Sequence, residues 1–356
     1  MKIGIITQPL VANYGGILQN YALQQVLKSM GHEVWTIDYG RYTWLSWANK
    51  AWKILVLKLL GRHVKFGMSP KEWRQMERHL RKFVDEHIST TIPRTRKLER
   101  NIVQKYDFDA LVVGSDQIWR PMYNDSIKRA FLSFTKGIDI KRIAYASSFG
   151  TDKWEFTNKQ TTICGKLAKI FDKVSMREES GVELCREYLG VTSDHVLDPT
   201  FLLKAEDYNA LCKGVPKRKP FLFAYILDKN EEKRKSINSF AERQGLPCVI
   251  KSANDSLTDA DSIESWLSCF RDASFVITDS FHGTAFSINF NKEFYVFGNH
   301  TRGNSRFESL LQGFDLEDRM VKSIPQNSKP INWVEVNKKL NSMVDFSIEW
   351  LKNALK

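Results

Sequence analysis

Between residues 275 and 290 the chain reads FVITDSFHGTAFSINF, which sets one histidine and two hydroxyls where an apolar run turns into a helix. Phe275–Thr278 has the β-branched and aromatic content of a short buried strand, and an apolar helix is predicted to begin near Thr284, after Asp279, Ser280, Phe281, His282 and Gly283. The free N–H groups and the positive dipole end of such a helix attract phosphate, and the only side chain that titrates near neutrality stands beside them. Chemistry on a phosphorylated substrate is therefore expected, with Ser280, Gly283 and Thr284 around the phosphate and His282 as the reactive group. A capped helix with a packed histidine is the competing reading.

Three other loops carry residues of the right types. Asn13, Tyr14, Gly15 and Gly16 follow the strand KIGIIT and precede a helix bearing Gln19 and Asn20. Paired glycines let backbone N–H groups approach a ligand, and amides bond sugar hydroxyls, although a tight turn also explains the glycines. The spacing is not the full GxGxxG of a dinucleotide site. After ALVVG come Ser115, Asp116, Gln117 and Trp119: an acid to accept a hydroxyl proton, an amide, and an indole to stack on a sugar. The alternative makes Asp116 a helix cap and Trp119 core. Arg177, directly after the run KVSM, offers a planar fork to carboxylate or phosphate, or else a salt bridge to Glu178 or Glu179. Arg302, Ser305 and Arg306 lie ahead of a late helix and add positive potential. DFD at 107–109 and DAD at 259–261 resemble metal-binding DxD patterns, but the first precedes a strand and the second reads as helix capping, so no metal is assigned.

The elements that must position these loops alternate strand and helix, which implies an open, mostly parallel sheet built twice. The predicted organisation is an α/β protein of two Rossmann-like domains facing a cleft: residues 1–203 on the acceptor side, 204–330 on the donor and phosphate side, and a helical tail over 331–356. Residues 204–219 read as the link between the domains. Ligands in such folds bind beyond the carboxyl ends of the strands, where most of the loops fall.

At 356 residues, 42% hydrophobic and 26% charged, the chain is a globular protein with room for two cores. The opening MKIGIITQPL lacks the pattern of a secretory leader, and five scattered cysteines show no metal spacing, so a cytoplasmic location with reduced thiols is expected. The formal charge of +12 is concentrated: residues 41–105, a basic amphipathic insertion, hold 16 Lys and Arg against 5 Asp and Glu, an excess of 11. Its first half, YTWLSWANKAWKILVLKLLG, clusters Trp44, Trp52, Leu55 and Leu59 on one helical face, with Lys50 and Lys53 opposite and Lys58 on the flank. That suits an anionic membrane surface better than nucleic acid, and is too short and too charged to span a bilayer. A helix packed on its own domain is the alternative for 42–60.

KIGIITQPLVANYGGILQNYALQQVLKSMGHEV, DALVVGSDQIWRP, RIAYASSFG, VSMREESG, VLDPTFLL, DSFHGT and NSRFESLL occur in an order that resembles the polysaccharide pyruvyl transferase family. The resemblance implies a fold like that of two-domain GT-B glycosyltransferases and transfer of a pyruvyl group from phosphoenolpyruvate, a donor substrate rather than a cofactor, to sugar hydroxyls as a ketal in cell-surface polysaccharide synthesis. It implies His282, Asp116 and Arg177 as catalytic groups. Many members carry an arginine two residues before the histidine, where this chain has Ser280; Arg302 or Arg306 would have to supply that charge. A lipid-linked oligosaccharide at the inner face of the membrane is the implied acceptor. A GT-B glycosyltransferase using a nucleotide-sugar, or a non-catalytic sugar-binding subunit of a capsule-assembly complex, are the competing functions.

Overall fold

The structure is a computed structural model; it describes residues 1–11, 13–39, 52, 70–92, 98–124, 126–228, 230–252, 261–298, 303–326 and 329–356. Arg302 and, apart from an exposed Trp52, the stretch 42–60 lie outside the described residues. So do the first two residues of the DAD pattern.

Two parallel sheets form the framework. The first has the order β2-β1-β3-β4-β5-β6, with β1 Lys2–Ile6, β2 Glu33–Thr36, β3 Ala110–Val113, β4 Lys141–Ser147, β5 Lys173–Met176 and β6 Asp194–His195. The second has the order β11-β10-β9-β7-β8, with β7 Leu222–Tyr225, β8 Cys248–Lys251, β9 Phe275–Thr278, β10 Glu293–Phe297 and β11 Met320–Val321. β3, β7 and β9 are buried at every position, as expected of parallel strands covered by helices on both faces. The strand order reverses between β1 and β3 in the first sheet and between β7 and β9 in the second. Adjacent strands leave in opposite directions at such a point and open a crevice at their carboxyl ends.

The first helix, Tyr14–Ser29, starts at Asn13, whose Oδ1 accepts from Gly16 N at 3.0 Å, so Tyr14, Gly15 and Gly16 form its first turn rather than a loop ahead of it. Likewise the helix expected to begin near Thr284 starts at Phe281, capped by Ser280. Thr157 and Gln160 form a reciprocal capping box at the start of the helix Asn158–Ala168. The second half of the basic insertion forms the helix Pro70–His87. Leu80, Phe83 and Val84 from it share a buried cluster with Trp266 and Leu267 of the helix Ile263–Asp272, so the insertion is built into the contact between the two halves.

Two features depart from the expected organisation. The region 204–219 is not wholly a linker, because Ala205–Leu211 is a helix that buries Tyr208. The tail helix Trp333–Leu355 returns to the first sheet, packing Trp350, Leu351 and Leu355 with Ile3, Ile5 and Val112. Ser347 Oγ accepts from Leu197 N at 3.0 Å and Trp350 Nε1 donates to Asp194 at 2.7 Å. No helix among the described residues is long and apolar enough to cross a membrane.

Candidate active site

The two switch points face one another across a cavity of about 230 Å³. Asn13 and Gly15 after β1, Asp116 and Gln117 after β3, Leu227 after β7, and Asp279 to His282 after β9 line it, together with Arg306. Tyr14, whose ring stacks on Trp266 at 5.3 Å and whose hydroxyl donates to the Asp261 carbonyl at 2.9 Å, fastens the first domain to the second beside the cavity. A larger hollow of about 660 Å³ lies elsewhere, between the helix Glu231–Arg243 and β8, lined among the described residues by Glu231, Lys233, Arg234 and Cys248.

The centre of the network is Asp198, fully buried in the turn that leaves the first sheet. Its Oδ1 accepts from Thr200 N at 3.0 Å and from Thr200 Oγ1 at 2.8 Å. Its Oδ2 accepts from Ser115 Oγ at 2.9 Å and from Arg177 Nη1 at 2.7 Å, and stands 3.9 Å from His282 Nε2. Burial alone would raise the Asp198 pKa, but Arg177 and His282 outweigh it and hold the carboxyl at about 2. The opposite holds for His282: burial pulls its pKa down, Asp198 and Asp116 oppose that, and Arg177 and Arg306 add to it. Its Nε2 is buried and makes no hydrogen bond.

Arg177 Nη2 and Nε are likewise buried without hydrogen bonds, 3.8 Å from Asp116 Oδ1 and 3.9 Å from Glu178 Oε2. Glu178 is itself held in place, its Oε1 accepting from Ser148 Oγ, Phe149 N and Gly150 N. The Arg177 guanidinium lies over the Phe281 ring at 4.4 Å, and Arg306 lies over the same ring at 5.6 Å. Burial, then repulsion from Arg177, lowers the Arg306 pKa to about 10. Two cations, one from each domain, thus converge on one phenyl ring in a buried site, with Asp198, Asp116 and Glu178 beside Arg177. At the start of the helix Phe281–Asn289, Ser280 Oγ accepts from Gly283 N, while the N–H groups of Phe281 and His282 find no acceptor among the described residues. Asp279 steadies this turn from below, accepting from Leu227 N at 2.6 Å and Lys233 Nζ at 2.8 Å.

The family model for polysaccharide pyruvyl transferases matches residues 13–301. The chain belongs to that family. Among curated proteins, none matches the chain. In overall shape it is similar to the UDP-GlcNAc 2-epimerase of Methanocaldococcus jannaschii solved with UDP-GlcNAc and UDP, at 12% identity and TM-score 0.44 over 97% of this chain and 100% of that one. It is also similar to a glycosyltransferase from Rickettsia africae, at 13% identity and TM-score 0.44 over 100% and 99% of the two chains. A third similar structure is MurG from Acinetobacter baumannii, at 10% identity and TM-score 0.41 over 98% of this chain and 94% of that one.

Within this member of the pyruvyl transferase family, the structure brings His282, Asp116, Arg177, Ser280, Arg306, Asn13, Gly15 and Gln117 to one place. Asp116 takes a left-handed backbone, φ 64°, and accepts from Asn13 Nδ2 at 3.1 Å. Ser115 is adjacent through Asp198, and Gly16 lies against Asn13 and Asp116. Other expected ligands are turned to structural work. Trp119 is fully buried, stacked on Phe131 and donating Nε1 to the Ala130 carbonyl, so it presents no face to a sugar. Gln19 is fully buried and donates to Thr7 Oγ1 and the Gly16 carbonyl. A β-carbon on Gly283 would fall 2.3 Å from Thr278 Oγ1, so this glycine is needed for helix-on-strand packing, and Thr284 donates to the Ser280 carbonyl. Ser305 starts the helix Ser305–Gly313, its hydroxyl buried without a hydrogen bond.

Sequence reasoning missed Asp198 and the ring of Phe281 as members of the network, whereas Glu178 stands beside Arg177 as the salt-bridge reading expected. Asp198 stands in VLDPTFLL, where an acid ahead of a proline reads as a turn residue. Asp107 and Asp109 lie at the opposite end of β3 from the cavity, around Lys2. Separately, Glu86, His87 and Glu264 bring ligand atoms within 4.8 Å of one another where the insertion helix meets the second domain.

Proposed function

We propose that the protein transfers the pyruvyl group of phosphoenolpyruvate to two hydroxyls of a sugar, forming a ketal and releasing phosphate. The observation that carries this reading is the convergence of Arg177, Arg306 and the open helix start at Phe281 and His282 on one cavity, because phosphoenolpyruvate presents both a phosphate and a carboxylate. Family membership supplies the reaction class.

In the proposed reaction the phosphate rests at the helix start with Ser280 and Arg306 nearby, and the carboxylate engages Arg177. His282 gives a proton to the methylene carbon, and the electron pair of the double bond forms the new C–H bond, leaving an oxocarbenium-like centre at C2. A sugar hydroxyl attacks C2 while Asp116 accepts its proton. A second hydroxyl then attacks C2 and gives its proton to His282, the bond from C2 to the phosphate oxygen breaks with its electron pair going to that oxygen, and the phosphate leaves with the proton held by Asp116. Asn13 and Gln117 stand where they can bond the acceptor. Phosphoenolpyruvate enters these steps as a substrate, and they invoke no cofactor.

The acceptor is proposed to be a lipid-linked oligosaccharide met from the cytoplasmic face of the membrane, in exopolysaccharide synthesis. The apolar and basic pattern of residues 42–60 supports that placement. Release of phosphate from phosphoenolpyruvate, dependent on added sugar, tests the donor assignment. Turnover of a nucleotide-sugar instead would make the protein a glycosyltransferase, and turnover of neither donor would leave a sugar-binding role.

A further inference from the structure

The proposed reaction gives no role to Asp198, a buried acid that touches groups of both domains. Asp198 has one oxygen fixed by Thr200 and offers the other to Ser115 and Arg177, with His282 Nε2 next in line at 3.9 Å. Ser115 and Arg177 belong to the first domain, His282 to the second, so this oxygen is where the proton-bearing group of one domain meets the arginine of the other. We propose that Asp198 is a positioning residue that serves as the counter-charge of His282, keeping its imidazole protonatable and its Nε2 turned toward the buried carboxylate.

The charged groups around His282 support this. From the first domain it faces Asp198, Asp116 and Arg177; from its own domain it faces Arg306. Two arginines and full burial disfavour a second proton on the ring, and the two acids are what oppose them. Asp116 is engaged by Asn13 and lies at the cavity wall. Asp198 stands beside Nε2 and is buried from solvent. When a donor carboxylate draws Arg177 toward itself, the 2.7 Å bond from Nη1 to Asp198 weakens and the same oxygen becomes available to His282 Nε2. Donor capture and arming of the histidine are then one event.

The inference rests on the pyruvyl-transfer reading only for the use made of the proton, so its test is done without substrate. The ring signal of His282, identified by its loss in His282→Gln, is titrated by NMR in the unsubstituted protein and in Asp198→Asn. An opposite charge at this range is worth about 1–3 pH units, so the His282 midpoint is expected to fall by about one unit or more in the variant. An unmoved or raised midpoint overturns the proposal. Should Asp198→Asn fail to fold, the carbon signal of the Asp198 carboxyl in the unsubstituted protein decides: it is expected to shift at the His282 midpoint, and indifference to that midpoint overturns the proposal. Either negative result would leave the donor assignment standing, and failure with phosphoenolpyruvate would leave the titration result standing.

Discussion

A β-carbon placed on Gly15 would sit 2.0 Å from Nδ1 of His282. The glycine of the first domain and the histidine of the second are therefore fitted to one another, and the imidazole keeps its place only while position 15 has no side chain. Gly15→Ala is expected to fold but to push the ring aside and lose ~100-fold or more in turnover, since a displacement of about 1 Å at a reacting group costs that much. In a His282→Ala background the same change should cost little further. Additive losses in the double variant would show that Gly15 acts by some other route.

Arg177 has a structural and a ligand-facing side. Nη1 is spent on Asp198, while Nη2 and Nε have no hydrogen bonds. Arg177→Lys retains one charge for Asp198 and gives up the fork. The apparent KM for phosphoenolpyruvate is expected to rise about tenfold or more, the worth of one charge-assisted hydrogen bond. A lowered melting temperature with an unchanged KM would confine the arginine to architecture.

The depressed pKa of Asp198 also shapes acid stability. A carboxyl whose folded pKa is about 2, against an ordinary 3.8, contributes stability that is complete above the ordinary value and is lost as the pH falls toward the folded one. The difference in melting temperature between the unsubstituted protein and Asp198→Asn should therefore be full at neutral pH and narrow as the pH is lowered from about 4 toward 2. A difference independent of pH would mean that shape, not charge, makes the residue matter.

Residues 42–60 are expected to bring the protein to anionic vesicles. Apolar side chains such as Trp44, Leu55 and Leu59 give adhesion, and each lysine near such a surface adds about 1 kcal/mol. Co-sedimentation with anionic but only weakly with neutral vesicles, abolished when Lys50, Lys53 and Lys58 are changed to Glu, is the expected outcome. No sedimentation with anionic vesicles at low salt would contradict it.

Much of this architecture was legible in the sequence because buried parallel strands and capped helices leave local marks. IGII, ALVV and FVI are continuous apolar runs, and Ser280 caps the helix that follows FVIT as the capped-helix reading expects. What could not be read is which surfaces meet. The apolar stripe of Trp333–Leu355 does not say that it covers the first sheet, and Leu80 and Phe83 do not announce Trp266 as their neighbour. β6 and β11, two residues each, are too short for a period. The residue types around Trp119 allow both a sugar platform and a core position, and only its packing among Phe131, Phe149 and Phe171 decides for the core. Asp198 lay hidden for a related reason: its importance comes from Arg177 and His282, distant in sequence and brought together only by the fold.

Transfer of a pyruvyl group from phosphoenolpyruvate to a sugar, with His282 supplying the proton, is tested most directly by the mass of a panel of galactosides after incubation with phosphoenolpyruvate and either the unsubstituted protein or His282→Ala. One acceptor is expected to gain a pyruvyl group with the unsubstituted protein, at a rate reduced at least ~100-fold in the folded variant, the usual worth of a positioned acid. Equal gain with both proteins would remove His282 from the chemistry, and acceptors left unmodified by phosphoenolpyruvate but extended by a nucleotide-sugar would contradict the account.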